Sequence, residues 1–307
     1  MRILVGDVGG TSTRLALWDG GALVQARTTP SGAHSDLAGH LADWLRETNV
    51  RPDAASLAVA GPVHAGRCVT TNLPWVVDAH ALGNWLGVPV RVLNDFEAAA
   101  RGTALLRPGD WEALLPGHAD PDAPRAVLGA GTGLGEAFVV GDTVLPGEGG
   151  HVEFGPTDAR EVRLAAWLIE RHGRASWEDV LSGPGLVNLA RFDAAERGEH
   201  APDWLDRPDA AAHVVAHRPD LVAWFCALYG TEAGNMALRV LARGGVWICG
   251  GIAPRMLAEL REGGFARRFH AKGKIAGALA GIPVRVVTHP ELGLLGAASV
   301  ASPPSPV

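Results

Sequence analysis

The chain has 307 residues, of which 47% are hydrophobic and 20% are charged, with a formal net charge of −6. This length accommodates two domains of ordinary size, and the acidic balance lacks the basic patch that a nucleic-acid partner requires. The sequence has no run of about 18 apolar residues, the pattern that would indicate a membrane span. We therefore expect a globular protein with no nucleic-acid and no membrane partner, and with no signal peptide, because the first residues already resemble a strand.

The three cysteines are too few and too scattered to define a disulfide framework or a zinc site. Cys68, Cys226 and Cys249 are odd in number and have no CxxC spacing. This usage is typical of a reducing compartment, which we expect to be the cytoplasm.

The first half of the chain alternates strand and helix patterns, which predicts an α/β fold. The expected elements, in chain order, are a hairpin of Ile3–Val8 and Arg14–Trp18, a helix at Ser35–Thr48, a strand at Ser56–Ala60, a helix at His80–Leu86, a strand at Val90–Leu93 and a helix at Phe96–Leu106. Residues 107–125 are rich in Pro, Gly and Asp, so we expect a domain boundary or a surface loop there.

A second hairpin, beginning at Ala126, opens the second half. The expected elements that follow are helices at Val162–Arg171, Gly185–Glu196 and Leu221–Ala242, a strand at Gly245–Gly250, a helix near Pro254, a strand at Ile282–Thr288 and a helix at Glu291–Val300. The repeated hairpin indicates a duplicated architecture. We expect a small α/β domain of residues 1–106 plus 289–307, a large α/β domain of residues 107–288, and a disordered tail at 302–307.

Each hairpin contains a glycine- and threonine-rich turn. The first turn holds Gly9, Gly10 and Thr11, and the second holds Gly131, Thr132 and Gly133. Such turns bring backbone N–H groups close to a ligand and suit phosphate oxygens, although glycine is also common in ordinary hairpins. Neither turn has the Gly-Lys-Ser/Thr of a P-loop, and neither opens a helix as a dinucleotide fingerprint does. The pair favours a nucleotide held between the two halves.

Asp7 precedes the first turn and has no counterpart in the second. A carboxylate at the end of a strand, beside phosphates, is where Mg²⁺ is held, and we expect the contact to pass through water.

Asn94 and Asp95 lie where a buried-type strand meets a helix. Ligands of open α/β sheets bind at the carboxyl ends of strands, and the helix N-terminus favours an ionised carboxylate. Asp95 is therefore a candidate general base, and the alternative is that it only caps the helix.

Glu148 and His151 are bracketed by glycines, an arrangement that offers two polar groups to one small ligand. A structural histidine, or a metal site with Glu153 as a third ligand, remains open as an alternative. By pattern alone Glu178 is either a capping residue or a solvated charge.

Together these segments resemble the bacterial glucokinases, hexose kinases of the actin-like ATPase superfamily. The resemblance spans about Ile3 to Val300 and rests on these motifs, quoted in chain order: Asp7-Val-Gly-Gly-Thr11, Ala60-Gly-Pro62, Leu93-Asn-Asp-Phe96, Gly129-Ala-Gly-Thr-Gly-Leu-Gly135, Glu148-Gly-Gly-His151, Leu181-Ser-Gly-Pro-Gly185 and Gly250-Gly-Ile252. It implies a two-domain actin-like ATPase (ribonuclease H-like) fold with a duplicated β-hairpin/helix core and an interdomain cleft.

The resemblance also implies roles for single residues. Asp95 is the expected base for the 6-hydroxyl of glucose, and Asn94, Glu148, His151 and Glu178 are expected to bind the sugar. The phosphate-binding residues are expected in the two turns, and the adenosine contacts at Gly250 and Gly251. The expected reaction is the Mg²⁺-dependent transfer of phosphate from ATP to glucose, a step of glycolysis, by a cytoplasmic homodimer. The alternatives are a kinase of another hexose, such as mannose or an amino sugar, and a non-catalytic sugar sensor.

Overall fold

The computed structural model describes residues 1–70 and 73–300, so the tail expected to be disordered lies outside the described residues. The chain divides into two compact units. The first comprises Met1–Arg107 and the segment from His289 onward, and the second comprises Pro108–Thr288.

The described chain contains both strands and helices. The strands are β1 Ile3–Val8, β2 Ser12–Asp19, β3 Ala22–Pro30, β4 Ala54–Val59, β5 Val63–His64, β6 Arg67–Val69, β7 Val76–Asp78, β8 Val90–Asn94, β9 Trp111–Leu115, β10 Arg125–Ala130, β11 Leu134–Val140, β12 Thr143–Gly147, β13 Val246–Cys249 and β14 Val284–Val287. The helices are α1 Leu37–Thr48, α2 Ala79–Leu86, α3 Asp95–Gly102, α4 Ala159–His172, α5 Gly183–Glu196, α6 Ala210–His217, α7 Pro219–Val240, α8 Leu257–Arg261, α9 Gly264–His270 and α10 Leu292–Ser299.

Each unit is built on a sheet of the same plan. In the first unit the strand order is β3-β2-β1-β4-β8, and in the second it begins β12-β11-β10-β13-β14. In both sheets three antiparallel strands are followed by two that run parallel to the third. The predicted duplication of hairpin and following strands is therefore confirmed. The second sheet adds β9 at its edge, and β5–β7 form a separate small sheet in the first unit.

The sheet of the first unit is covered by apolar side chains on both faces. Leu4 and Val5 are adjacent in β1 and belong to different hydrophobic clusters, because successive side chains of a strand point to opposite faces. One cluster contains Trp44 of α1, and the other contains Ala98 of α3 and Ala297 of α10. The large core of the second unit packs helices α4 to α9 around β10, β13 and β14.

Several elements differ from the sequence-based expectation. Residues 107–125 contain β9, which pairs antiparallel with β14, so this segment is not entirely loop. The helix expected to reach Leu106 ends at Gly102, where the Thr103 hydroxyl donates to the Ala100 carbonyl oxygen and occupies that acceptor. The elements β3, β5–β7, β12, α6 and α9 were not predicted from the sequence. Among the described residues, no helix combines the length and the apolar character needed to cross a membrane.

Helices α3 and α10 approach so closely that Gly296 has no room for a side chain. A Cβ atom there would overlap the Ala98 carbonyl oxygen of α3. We expect Gly296→Ala to cost about 1–3 kcal/mol through overpacking, and each kcal/mol lowers the melting temperature by roughly 2–4 °C. Gly277→Ala is the matched control, because nothing lies within 4 Å of its added Cβ. Calorimetric melting of both variants checks this, and equal melting temperatures would contradict the packing account.

Candidate active site

The first glycine turn is fixed by hydrogen bonds from its own strand and from the residue after β3. The Gly9 N–H donates to the Ser12 carbonyl oxygen at 3.0 Å, and the Ser31 hydroxyl donates to the Gly9 carbonyl oxygen at 2.7 Å. Thr11 is exposed at the tip. The turn therefore presents a fixed backbone and one hydroxyl to solvent, as a phosphate-binding turn requires.

Asp7 lies at the end of β1, opposite Arg14 of β2. An Arg14 guanidinium nitrogen is 3.4 Å from a carboxylate oxygen of Asp7, whose side chain is 23% exposed. Gly293 packs on the same carboxyl group. Burial raises the pKa of Asp7, and the charge of Arg14 opposes that shift. One face of this carboxyl group therefore remains accessible to a ligand, and the rest is enclosed.

The second glycine turn opens onto a cavity of about 670 Å³ in the second unit. This volume is within the usual range of small-molecule sites, roughly 300–1,000 Å³. Gly131 and Thr132 line the cavity, and Gly251 lines another part of it. Gly250 has a φ of +83° and packs on the Ala130 backbone, which brings the Gly250-Gly251 motif beside the turn. The structure thus brings together the expected phosphate and adenosine motifs of the second unit.

The sequence analysis missed several residues of this cavity. They come from α5, from the segment before α6, and from the segment before α8, and they include Pro184, Asn188, Arg191, Arg207 and Arg255. The start of α5 is held at the turn, because the Gly183 N–H donates to the Gly131 carbonyl oxygen at 2.8 Å. A helix N-terminus favours anions, so its position supports phosphate binding. In the sequence, the arginines resemble ordinary surface residues.

Asn94 and Asp95 lie at the junction of β8 and α3 in the first unit. Asn94 is the helix cap, since its Oδ1 accepts from the N–H groups of Phe96 at 2.8 Å and Glu97 at 3.0 Å. Its Nδ2 donates to the Gly61 carbonyl oxygen at 3.1 Å, which leaves one amide hydrogen for a ligand. Because Asn94 caps the helix, the alternative in which Asp95 is the N-cap is wrong. Asp95 is the first residue of α3, and its Oδ1 accepts from the Phe96 N–H at 2.9 Å.

Glu148, His151 and Glu178 lie around one loop of the second unit. His151 Nδ1 is 3.8 Å from Glu178 Oε1, and Glu148 is exposed in the preceding turn. The Glu178 N–H donates to the Gly150 carbonyl oxygen at 2.8 Å, and its carboxylate accepts from the Leu134 N–H at 2.8 Å. Glu178 therefore is neither a helix cap nor simply a solvated charge, because it joins this loop to the strand that follows the second glycine turn.

The alternative of a metal site at this loop gains no support from the geometry. Glu153 is 83% exposed in its side chain and lies near Arg174. Across residues 1–70 and 73–300, no group of three or more His, Cys, Asp or Glu side chains is placed to hold a metal ion.

Comparison with known proteins gives a consistent result. A sequence model of the Glucokinase family matches residues 4–303. The chain is 37% identical over 313 residues to a glucokinase of Caulobacter sp. (strain K31), covering 98% of this chain and 95% of the relative. A crystal structure of glucokinase from an Antarctic psychrotroph superposes with a TM-score of 0.85 at 33% identity, covering 98% of both chains. Glucokinase from Balamuthia mandrillaris, solved with glucose, superposes with a TM-score of 0.78 at 23% identity, covering 98% of this chain and 94% of the other.

The duplicated sheets with a glycine turn in each unit define a two-domain actin-like ATPase fold, of the class used by ATP-dependent sugar kinases. Within that class, the chain belongs to the glucokinase family.

Gly133 and Gly131 allow the two sides of the second turn to be tested separately. A Cβ on Gly133 would overlap the Glu178 carboxylate, whereas nothing lies within 4 Å of a Cβ on Gly131. The resemblance implies that Glu178 binds the sugar, so Gly133→Ala should displace Glu178 and raise the KM for the sugar about 10-fold or more, the cost of losing a charge-assisted hydrogen bond. Gly131→Ala, the control, should leave Glu178 in place and the KM for the sugar unchanged. Steady-state kinetics in both substrates check this, and an unchanged sugar KM in Gly133→Ala would contradict it.

Proposed function

We propose that this protein is a glucokinase that transfers the γ-phosphoryl group of ATP to the 6-hydroxyl of D-glucose. The observation that carries the proposal is the link from the second glycine turn through Glu178 to the loop of Glu148 and His151. Such a link places groups suited to phosphate next to groups suited to a sugar. The chain's membership of the glucokinase family supports the choice of glucose.

The proposed sugar ligands are Asn94, Glu148, His151 and Glu178. Sugar hydroxyls need fixed partners once water is excluded, and an unpaired buried hydroxyl costs binding free energy. Glu178 already has one carboxylate oxygen fixed by Leu134, so its orientation is set before the sugar arrives. Asn94 is fixed as a helix cap, and its free amide hydrogen is the donor we assign to glucose.

Asp95 is the proposed general base. Asp95 is the first residue of α3, and the helix dipole favours a negatively charged side chain at a helix N-terminus. The carboxylate would orient the 6-hydroxyl and accept its proton as the bond to phosphorus forms. Phosphoryl transfer needs positioning and charge neutralisation more than covalent chemistry. The reaction therefore asks the protein for one oriented base and for N–H and O–H groups that donate hydrogen bonds to the phosphate oxygens.

Each unit has its own proposed nucleotide ligands. In the first unit Gly9, Gly10 and Thr11 would bind phosphate. In the second unit Gly131, Thr132 and Gly133 would bind phosphate, and Gly250 and Gly251 would border the adenosine. Asp7 fits Mg²⁺ when ATP is bound, because Mg²⁺ typically takes one or two carboxylates with the remaining ligands from phosphate and water. The ion would neutralise phosphate charge. We assign that contact, through water, to the accessible face of Asp7 beside the first turn.

We further propose that the enzyme serves glycolysis in the cytoplasm as a homodimer. The support for a reducing compartment is that Cys68, Cys226 and Cys249 are free and buried. Light scattering on the purified chain tests the dimer.

A coupled assay over a panel of hexoses and phosphoryl donors tests the activity. We expect glucose with Mg-ATP to give the highest kcat/KM, because the proposed site has several fixed partners for sugar hydroxyls. Mannose and glucosamine, which differ at C2, are the informative competitors. A higher kcat/KM for either would replace glucose as the substrate, and no turnover with any hexose would favour a sugar sensor.

Asp95→Asn tests the base. Asparagine is nearly isosteric, and the cap of α3 is Asn94, so we expect the variant to keep its melting temperature and its glucose affinity. Loss of a general base typically lowers the rate by about 10²–10⁴. Glu97→Gln is the matched control, because Glu97 lies in the same helical turn and pairs with Arg101. A kcat of Asp95→Asn within a few-fold of that control would remove Asp95 from the mechanism.

A further inference from the structure

Two buried acids of the second unit share one arginine. Glu136 of β11 is 3% exposed and Glu232 of α7 is fully buried. An Arg239 guanidinium nitrogen lies 2.8 Å from Glu232 Oε1 and 3.4 Å from Glu136 Oε2. Within the described chain, Glu136 Oε1 has no hydrogen-bond donor, although it is buried. If Glu136 were ionised, one of its carboxylate oxygens would therefore be buried without a hydrogen-bond donor, and burying such a charge is costly.

A proton on Glu136 resolves this arrangement. Burial raises the pKa of Glu136 to about 8, and the neighbouring Glu232 charge adds to the shift while Arg239 opposes it. The protonated carboxyl group can donate a hydrogen bond to Glu232. The charge of Glu136 also acts on Tyr229 of α7, and the charge of Lys272 acts on Glu232.

Burial raises the pKa of Glu232 as well, but Arg239, Asn235 and Lys272 oppose that shift, so Glu232 is the ionised member of the pair. Its Oε2 accepts from Asn235 Nδ2 at 2.8 Å, and its Oε1 accepts from Arg239. At pH 7 Lys272, which donates to Asn235 Oδ1 at 2.6 Å, adds a second positive charge nearby. Burial lowers the pKa of Lys272 to about 8, and the charge of Glu232 opposes that shift. Glu136 has only the longer contact with Arg239, so the shared proton belongs on Glu136.

Glu136 lies directly beneath the loop of Glu148 and His151. A Cβ on Gly149 would overlap the Glu136 carboxyl group, and Glu136 is the register partner of Gly147 in β12. A Cβ on Gly150 would overlap the backbone carbonyl oxygen of Leu134, two residues before Glu136 in β11. The backbone of this loop therefore rests on Leu134 and Glu136.

We propose that Glu136 is a positioning residue whose neutral carboxyl group, held between Glu232 and Gly149, supports the Glu148–His151 loop and fixes its sugar-binding side chains. The inference rests on the proposed sugar-binding role of Glu148 and His151, and it adds a pH dependence to that role. Ionisation of Glu136 places a second negative charge beside Glu232, beneath the loop, and loosens the loop.

The sign of the pH effect follows from the raised pKa. Between the ordinary glutamate pKa of 4.5 and about 8, the folded protein keeps a proton on Glu136 that the unfolded chain releases. The contribution of Glu136 to the free energy of unfolding is therefore greatest below that range and is lost as the pH rises through it. Glu136→Gln stays neutral and can still donate to Glu232, so it should lack this dependence.

The experiment compares the wild type with Glu136→Gln, Glu136→Leu and a control, Glu161→Gln. Glu161 is another buried acid of the second unit, but it pairs with Arg268 and not with the loop of Glu148 and His151. Hydrogen exchange of residues 146–152 is measured without substrates at pH 7 and pH 9. The kcat, the KM for glucose and the KM for ATP are measured at the same two pH values, and melting temperatures confirm folding.

At pH 7 we expect Glu136→Gln to match the wild type. Glu136→Leu should show faster hydrogen exchange in the loop and a glucose KM that is higher by about fivefold or more. Its kcat and its KM for ATP should change little. At pH 9 the wild type should show the same changes, and Glu136→Gln should not. Lys272 also loses charge in this range and is present in both proteins, so an equal pH 9 change in the wild type and in Glu136→Gln would belong to Lys272 and would overturn the proposal. Glu161→Gln should behave as wild type in the loop and in glucose KM. Wild-type loop exchange and glucose KM in Glu136→Leu, or equal defects in Glu136→Gln and Glu136→Leu, would overturn the proposal. If the wild type fails to phosphorylate glucose while loop exchange follows the expected pattern, the proposed function fails and the positioning role stands.

Discussion

The contact between the Glu178 carboxylate and the Leu134 N–H is the interaction on which the second unit's site depends. The same residue donates its own N–H to Gly150, so one glutamate holds both the strand after the glycine turn and the loop of Glu148 and His151. Gly133 must lack a side chain because this carboxylate occupies the space of its Cβ. The second glycine turn and the loop of Glu148 and His151 are therefore both held by one residue, the turn side through its carboxylate and the loop through its backbone N–H.

The duplicated sheet explains why the two glycine turns resemble each other, and the local contacts explain why they differ. In each unit the turn joins two antiparallel strands, the first of which also pairs with a parallel strand. The first turn has a carboxylate, Asp7, beside it, and that carboxylate is partly enclosed by Arg14. The second opens onto the cavity, with the start of α5 held against Gly131. The same backbone plan thus offers an accessible acid in one copy and a helix N-terminus in the other.

Local patterns predicted the hairpins and the long helices because alternation, helical periodicity and glycine turns are properties of short segments. They failed where pairing decides the structure. Trp111–Leu115 lies in a segment rich in Pro and Gly, and it becomes a strand because the edge of β14 is available to it. Most residues of Ala22–Pro30 are exposed, so this edge strand lacks the apolar alternation that marks a half-buried strand. Register and partner choice are tertiary properties, and no local window contains them.

The same distinction applies to the site. Glu148, His151 and the two turns could be proposed from the sequence because glycines surround them, and a glycine cluster is a local sign that backbone approaches something closely. Arg207 and Arg255 have no such sign, and the glycines before Glu136 do not indicate that its carboxyl group is buried. Glu136 follows Leu134 on the inward face of its strand, and its burial is tolerated because Glu232 and Arg239, about a hundred residues further along the chain, lie against it. A buried acid at this position is only acceptable if it is neutral or paired. Gly149 and Glu136 therefore depend on each other: the missing side chain of Gly149 leaves a space beneath the loop, and the carboxyl group of Glu136 fills that space.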